Sequence, residues 1–337
     1  MATSSNEYIA MIKIICRTAV FSLFASSASG QSVSLEPGAL VQDCADCPEM
    51  VVIPSGSFAM GENDGDPERS EGPERNVDPN QGTPSIGDPE RSEGPERNVT
   101  IANSFALGRF EVTVGQFAKF IDATGQEPEV DCSMWIMTEM STPNRTWRDP
   151  GYKRPVRDDE PVVCVSWRDA RAYTAWLSGV TGQRYRLPTE SEWEYAAKGG
   201  TDSVYYWGAD PDDACRYANV YDTTAAAKWP TEDWDAPACD DGFAETSPVG
   251  SFEPNQFGLY DILGNVWEWN QDCSILPYPD QPTDGSAAEV EGACDRRAIR
   301  GGGWITQAYR QRPTWRGRDP ERRMAAFWGF RVARDLN

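Results

Sequence analysis

The chain has 337 residues with 53 acidic and 31 basic side chains, a formal net charge of −22, which argues against nucleic acid or an anionic membrane surface as the main partner. It contains no histidine, and that count excludes Ser-His-Asp and Cys-His hydrolases, His-ligated zinc and two-His-one-carboxylate iron. Any metal must be held by oxygen or sulfur.

From Met11 the segment MIKIICRTAVFSLFASSASGQ sets Lys13 and Arg17 before a short apolar run and small residues. This is the pattern of a secretory signal over residues 1–30, with the true start at Met11 and cleavage after Ala28 or Gly30. The run is too short to span a bilayer. The expectation is an exported chain, periplasmic or extracellular, with no membrane span. Loss of Cys16 leaves Cys44, Cys47, Cys132, Cys164, Cys215, Cys239, Cys273 and Cys294, and an even count in an exported protein favours disulfides. Neighbour pairing (44–47, 132–164, 215–239, 273–294) is expected because each pair pins a surface loop. The CADC of the N-terminal segment 31–47 stays open as a redox or metal motif.

The unit GDPERSEGPERNV occurs at 65–77 and again at 87–99. It is polar and rich in Pro, Gly and charge, so it reads as a duplicated loop insertion over 65–99 and not as a solenoid repeat. MVVIPSGSFAMG (50–61) and VTIANSFALGRFEVT (99–113) flank it with strand-like alternation. A helix is predicted from about Val114 to Ala123, with Phe117, Phe120 and Ile121 inward and Gly125 as its stop. A second starts at Ser166 with Asp169 three residues on and places Ala172, Tyr173, Trp176 and Leu177 on one face. A third starts at Thr189 with Glu192 and closes at Gly199. Beyond Gly199 periodicity fades, and aromatic anchors are expected to hold long ordered loops, drawing on 13 tryptophans in the chain. No linker splits 48–335, so one α+β domain is expected.

The last distinctive stretch, RGGGWITQAYRQR (300–312), has the composition of a cleft but no Cys, Asp or Glu. Arg310, Arg312, Arg316, Arg318, Arg322 and Arg323 form a basic cluster suited to carboxylate or phosphate recognition. The other fate of such arginines is internal pairing with Asp and Glu.

FGLYDILGNVWEW (257–269), YRLPTESEWEYAAKGG (185–200), PVVCVSW (161–167), RAIRGGGW (297–304) and GFRVAR (329–334) together resemble the formylglycine-generating enzyme family, the sulfatase-modifying factors. The resemblance covers about residues 48–335. It implies a largely irregular fold related to C-type lectins, often stabilised by calcium, and a groove lined by Trp267, although a buried core Trp is the commoner fate. In the founding enzymes, copper held by two cysteines uses oxygen to convert a sulfatase cysteine to formylglycine. The positions matching those cysteines are Thr306 and Gln311. Copper(I) selects thiolates, so the resemblance carries no copper site here, and relatives with histidine-bound iron offer no template.

The family's calcium sites fall on Asn219, the carbonyl of Val220, Asp241 and the carbonyl of Phe243, and on Asp261, the carbonyls of Gly264 and Val266, and Glu268. All are oxygen donors of the kind calcium takes. Without a cation, carboxylates in such turns are satisfied by backbone N–H groups. Arg331 is expected to tie the terminal strand into the fold. Two functions follow: a calcium-stabilised binding module for a peptide, protein or saccharide, or a divergent extracytoplasmic oxidoreductase acting on a protein, peptide or secondary metabolite. Fold alone does not choose between them.

Overall fold

A computed structural model describes residues 35–62, 93–128, 132, 145–231, 234, 236–274, 281–290, 294 and 296–336, all within the compact unit Leu35–Asn337. The signal segment, the first copy of the duplicated unit and the start of the second lie outside the described residues.

The strands are β1 (Leu40–Val41), β2 (Met50–Ile53), β3 (Gly56–Met60), β4 (Arg97–Ile101), β5 (Phe105–Gly108), β6 (Tyr185–Arg186), β7 (Trp267–Cys273), β8 (Arg297–Arg300), β9 (Gly317–Asp319), β10 (Trp328–Gly329) and β11 (Ala333–Asp335). They make a five-stranded antiparallel sheet ordered β1-β2-β5-β11-β6, a four-stranded sheet ordered β10-β7-β8-β9 and the hairpin pair β3-β4. In the second sheet β10 runs parallel to β7, setting Trp328 beside Trp267 and Gly329 beside Glu268. The strands are short and the loops long, as the α+β, lectin-like expectation requires. The alternation read across 99–113 is split between two strands, β4 ending at Ile101 and β5 starting at Phe105, and the chain leaves β5 after Gly108 to cap a helix at Thr113. The polar repeat also ends earlier than its sequence identity suggests: Arg97 and Val99 belong to β4, and Val99 is buried because β3 pairs with it through Phe58.

Local chemistry explains the helices. In α1 (Val114–Thr124), α2 (Trp167–Thr181) and α3 (Glu190–Lys198), Thr113 with Gln116, Ser166 with Asp169 and Thr189 with Glu192 form reciprocal capping boxes. Each satisfies two otherwise orphaned donors. Gly125, Gly182 and Gly199 close them in the left-handed conformation, where glycine carries no Cβ penalty. The inner face of α2 is Ala170, Tyr173, Thr174 and Leu177, with Ala172 and Trp176 only partly buried at its flanks. Two further short helices, α4 (Ala214–Tyr217) and α5 (Thr223–Lys228), break the irregular region after Gly199.

The core has a large aromatic cluster, including Phe117, Tyr173, Phe330 and Trp304, and a second around Trp193, Leu259, Ile262 and Leu263. The disulfides Cys44–Cys47, Cys132–Cys164, Cys215–Cys239 and Cys273–Cys294 are the expected neighbour pairs. Among the described residues no helix is long and apolar enough to cross a membrane.

Candidate functional site

The turn that feeds β7 carries an unusual backbone: Asp261, Gly264 and Asn265 all have positive φ. At Gly264 a Cβ would lie 2.5 Å from the carbonyl oxygen of Asn219, so only glycine allows this approach. The turn buries Asp261 and passes into Glu268 of β7. Arg331, just before β11, answers Glu268 through Nε and Nη2 at 2.6–2.8 Å, and its other donors hold the carbonyls of Gly108, Tyr260 and Asp261. It thus ties the terminal segment to both sheets. The indole N–H of Trp193 also donates to Glu268, at 2.7 Å. A third buried carboxylate, Glu111, accepts from Val266 N at 3.1 Å and from Asn265 Nδ2 at 2.7 Å.

Three buried carboxylates here face one buried arginine. Burial raises Glu111 well above the ordinary range, and the charges of Asp261 and Glu268 raise it further. Asp261 is pushed up to about 6 by burial. Its Oδ2 accepts from Gly250 N at 2.6 Å, while its Oδ1 is buried with no hydrogen-bond partner. A buried acceptor without a donor is costly, and a hard cation is the complement that both this oxygen and the surplus charge call for.

The other cradle lies between α4 and α5 and the 239–243 loop. Asn219 donates from Nδ2 to Glu245 O at 2.8 Å and Asn265 Oδ1 at 3.2 Å, which fixes its amide orientation and leaves Oδ1 buried and unpartnered. Asp241 accepts from Val220 N and Phe243 N at 2.9 and 2.8 Å, so the backbone-satisfied alternative holds for this carboxylate. It is pushed up to about 7 by burial and by nearby Asp222. Ligand atoms of Asp222, Asp241 and Cys215 lie within 4.8 Å of one another, but the Cys215 sulfur is committed to its disulfide. Both cradles fit calcium by donor type and by one orphaned oxygen each.

The cleft segment follows β8. Gly301 and Gly302 have φ of 98° and 75°, and a Cβ on Gly302 would sit 2.5 Å from Gln311 Cγ. This bend lets the chain fold back so that Gln311 Nε2 reaches the carbonyls of Gly303 and Thr306 at 3.1 and 3.2 Å. Thr306 Oγ1 accepts from the Trp267 indole N–H and from Gly303 N, both at 3.0 Å. Trp267, Thr306 and Gln311 therefore meet, all buried.

Residues 36–336 match the sulfatase-modifying factor enzyme 1-like domain. The chain belongs to the sulfatase-modifying factor family. It is 32% identical to the formylglycine-generating enzyme of Thermomonospora curvata, over 85% of this chain and 93% of that one. It is 30% identical to the inactive C-alpha-formylglycine-generating enzyme 2 of Bos taurus, over 77% of each. Among solved structures it is similar to PvdO from Pseudomonas aeruginosa, with a TM-score of 0.69 and 34% identity over 89% of this chain and 99% of that one. Treponema denticola variable protein 1 shares the fold, with a TM-score of 0.59 and 20% identity.

Thr306 and Gln311, the positions that the resemblance leads one to expect for the copper cysteines, hold a hydroxyl and an amide. Neither is soft enough for copper(I), and every described cysteine is in a disulfide. The residues do not fit that ion. Of the arginines, Arg312 is spent on Glu93 at 2.8 Å and Glu62 at 3.3 Å, and Arg316 grips Glu190 through two 2.6 Å bonds. Arg323 pairs with Asp319. Arg310 is half-buried, its guanidinium 5.5 Å from the Trp315 ring centre; Arg318 is half-buried and Arg322 exposed. Residue reading missed Glu111 and Asn265. The available signal for Glu111 was a carboxylate set between Phe110 and Val112 in an apolar stretch.

Proposed function

We propose that this member of the family is an exported, calcium-stabilised binding module for a peptide or saccharide, and that it does not carry out copper-dependent formylglycine formation. The observation that carries the reading is the donor set at the cleft: Thr306 and Gln311 are engaged by Trp267 and by the backbone of the same bend, with no thiol among them. Two amide oxygens of this segment, Gln307 Oε1 and Gln311 Oε1, are buried with no partner. The carbonyls bound to Gln311 Nε2 fix which way its oxygen faces, so this buried oxygen asks for a donated N–H or O–H group, such as an interior water supplies.

Calcium would be held by Asn219, Val220, Asp241 and Phe243 at one site and by Asp261, Gly264, Val266 and Glu268 at the other. Bound there, it supplies positive charge to a carboxylate-rich interior and links loops that have little regular structure. The chain's own residues do the remaining work: Arg331 holds Glu268 in place, and the Gly301–Gly302 bend presents the cleft. The four disulfides fit an oxidising compartment, which supports export.

Metal analysis of the purified chain, with oxygen uptake measured on thiol-containing peptides, tests the reading. Calcium as the bound metal and no oxygen uptake is the expected result. Copper or iron at one per chain with turnover would overturn it in favour of an extracytoplasmic oxidoreductase.

A further inference from the structure

We propose that Glu111 and Asn265 are a shared positioning pair for the two calcium sites, so that filling one site favours filling the other and steadies the cleft segment after β8. This rests on the calcium reading above. Neither residue belongs to either ligand set.

The connection is continuous bond by bond. Asn219, a ligand of the first site, donates from Nδ2 to Asn265 Oδ1 at 3.2 Å, while Asn265 N donates to Asn219 O at 2.9 Å. Ser247 adds its N–H to the same Asn265 Oδ1 at 3.0 Å. Asn265 Nδ2 then donates to Glu111 Oε2 at 2.7 Å, and Glu111 Oε1 accepts from Val266 N at 3.1 Å. Val266 carries a carbonyl ligand of the second site. On its other side, Trp267 N donates to Phe327 O at 2.9 Å, so Val266 is held from both flanking peptide groups.

Planarity transmits position along this path. A cation on Asn219 Oδ1 fixes the plane of that amide and therefore the direction of Nδ2. The Asn265 amide, fixed through its oxygen, aims its own Nδ2 at Glu111. The peptide unit joining Asn265 and Val266 is rigid. Glu111 holds its N–H end, and Trp304 N holds its carbonyl end at 2.8 Å. Trp304 lies within the glycine bend, so the peptide unit directly preceding the one that carries the Val266 carbonyl ligand anchors the cleft segment. Glu111, Asn219 and Asn265 are all essentially inaccessible, at 1%, 0% and 0% exposure, and buried polar bonds of this kind are directional and hard to replace by water.

The test is calorimetric titration of the metal-free full chain with calcium. Two ions are expected in the unaltered chain. Asp241→Asn, at the first site, is expected to weaken the second site about tenfold, and Asp261→Asn to weaken the first by the same factor, since coupling is reciprocal. Asn265→Gly keeps the left-handed turn that its φ of 56° requires and removes only the amide. In that background each of the two substitutions is expected to leave the other site's affinity unchanged. Glu111→Gln, which keeps side-chain volume, is the second relay variant and is expected to reduce the coupling likewise; intrinsic tryptophan fluorescence checks folding of every variant. Unchanged second-site affinity on Asp241→Asn, with two ions still bound by the unaltered chain, would overturn the coupling and leave the calcium reading intact. No calcium bound by the unaltered chain would overturn both.

Discussion

Two buried acid clusters meet at Trp193 and are built on opposite terms. On one side Glu190 and Glu194 are answered by Arg300, Arg316 and Lys198, with Asp272 buried beside them; on the other Glu111, Asp261 and Glu268 have Arg331. The Trp193 indole donates to Glu268, and the Arg300 guanidinium lies 5.6 Å from its ring centre. In the balanced cluster Glu190 is buried, yet Arg316 and Arg300 bring it down to about 2. Asp272, which accepts only from the backbone N–H groups of Glu190 and Ala288, is pushed up to about 7 by burial and by Glu190. In the other cluster Asp261 stands near 6. Burial alone therefore does not set these groups: Glu190, gripped by two arginines, is lowered, whereas Asp272 and Asp261, bonded by backbone N–H groups, are raised in both clusters. A closed set of pairs needs nothing more, whereas a surplus of carboxylates asks for a partner.

Removing the central arginine from each cluster should separate them most widely. Arg331→Met leaves three buried carboxylates with no cation and is expected to cost about 3–5 kcal/mol in the metal-free chain. Arg300→Met should cost less, because Arg316 still holds Glu190 through two bonds. Urea denaturation measures both, and a larger loss for Arg300→Met would break the comparison.

The pH dependence should be smaller. Asp261 and Asp241, near 6 and 7 when folded, keep protons that the unfolded chain releases around pH 4. Their contribution to stability is full below that point and is lost as pH rises to about 7. Glu190 works the other way, but its contribution is complete above the ordinary carboxylate range and changes little in this window. The metal-free chain should therefore melt several degrees lower at pH 7.5 than at pH 5, and calcium should shrink the difference to the part that Asp272, raised to about 7 outside both sites, contributes. A melting temperature that rises over this interval without calcium would refute the assignment of surplus charge.

The smallest effect sharpens the cleft. Thr306→Val strands the indole N–H of Trp267 and the N–H of Gly303, and is expected to cost about 1–2 kcal/mol, with Thr306→Ser near neutral by chemical denaturation. Equal stability of the Val and Ser variants would mean that the hydroxyl does not hold the bend.

What could be read without coordinates was local. Two of the three capping boxes, at Ser166 and Thr189, the stops at Gly125 and Gly199 and the neighbour disulfides follow from residues close in sequence, and the ordered set of motifs carried the lectin-like α+β fold; the Thr113–Gln116 box and the Gly182 stop are equally local but came from the structure. The fate of the arginines was not local: Arg312 finds Glu93 at a distance of 219 positions and Arg316 finds Glu190 at 126. Glu111 meets Val266 across 155 positions. No periodicity encodes such encounters. Glu93 was hidden for a different reason: it sits inside a polar duplicated unit, yet Arg312 and Thr314 draw it into the interior.

Arg331 lies 63 positions beyond Glu268. A ribosome making this chain delivers Glu111, Asp261 and Glu268 before the arginine that answers them emerges. The acid turn thus passes through part of synthesis without its built-in counterion, and it can close only once that later segment has been made.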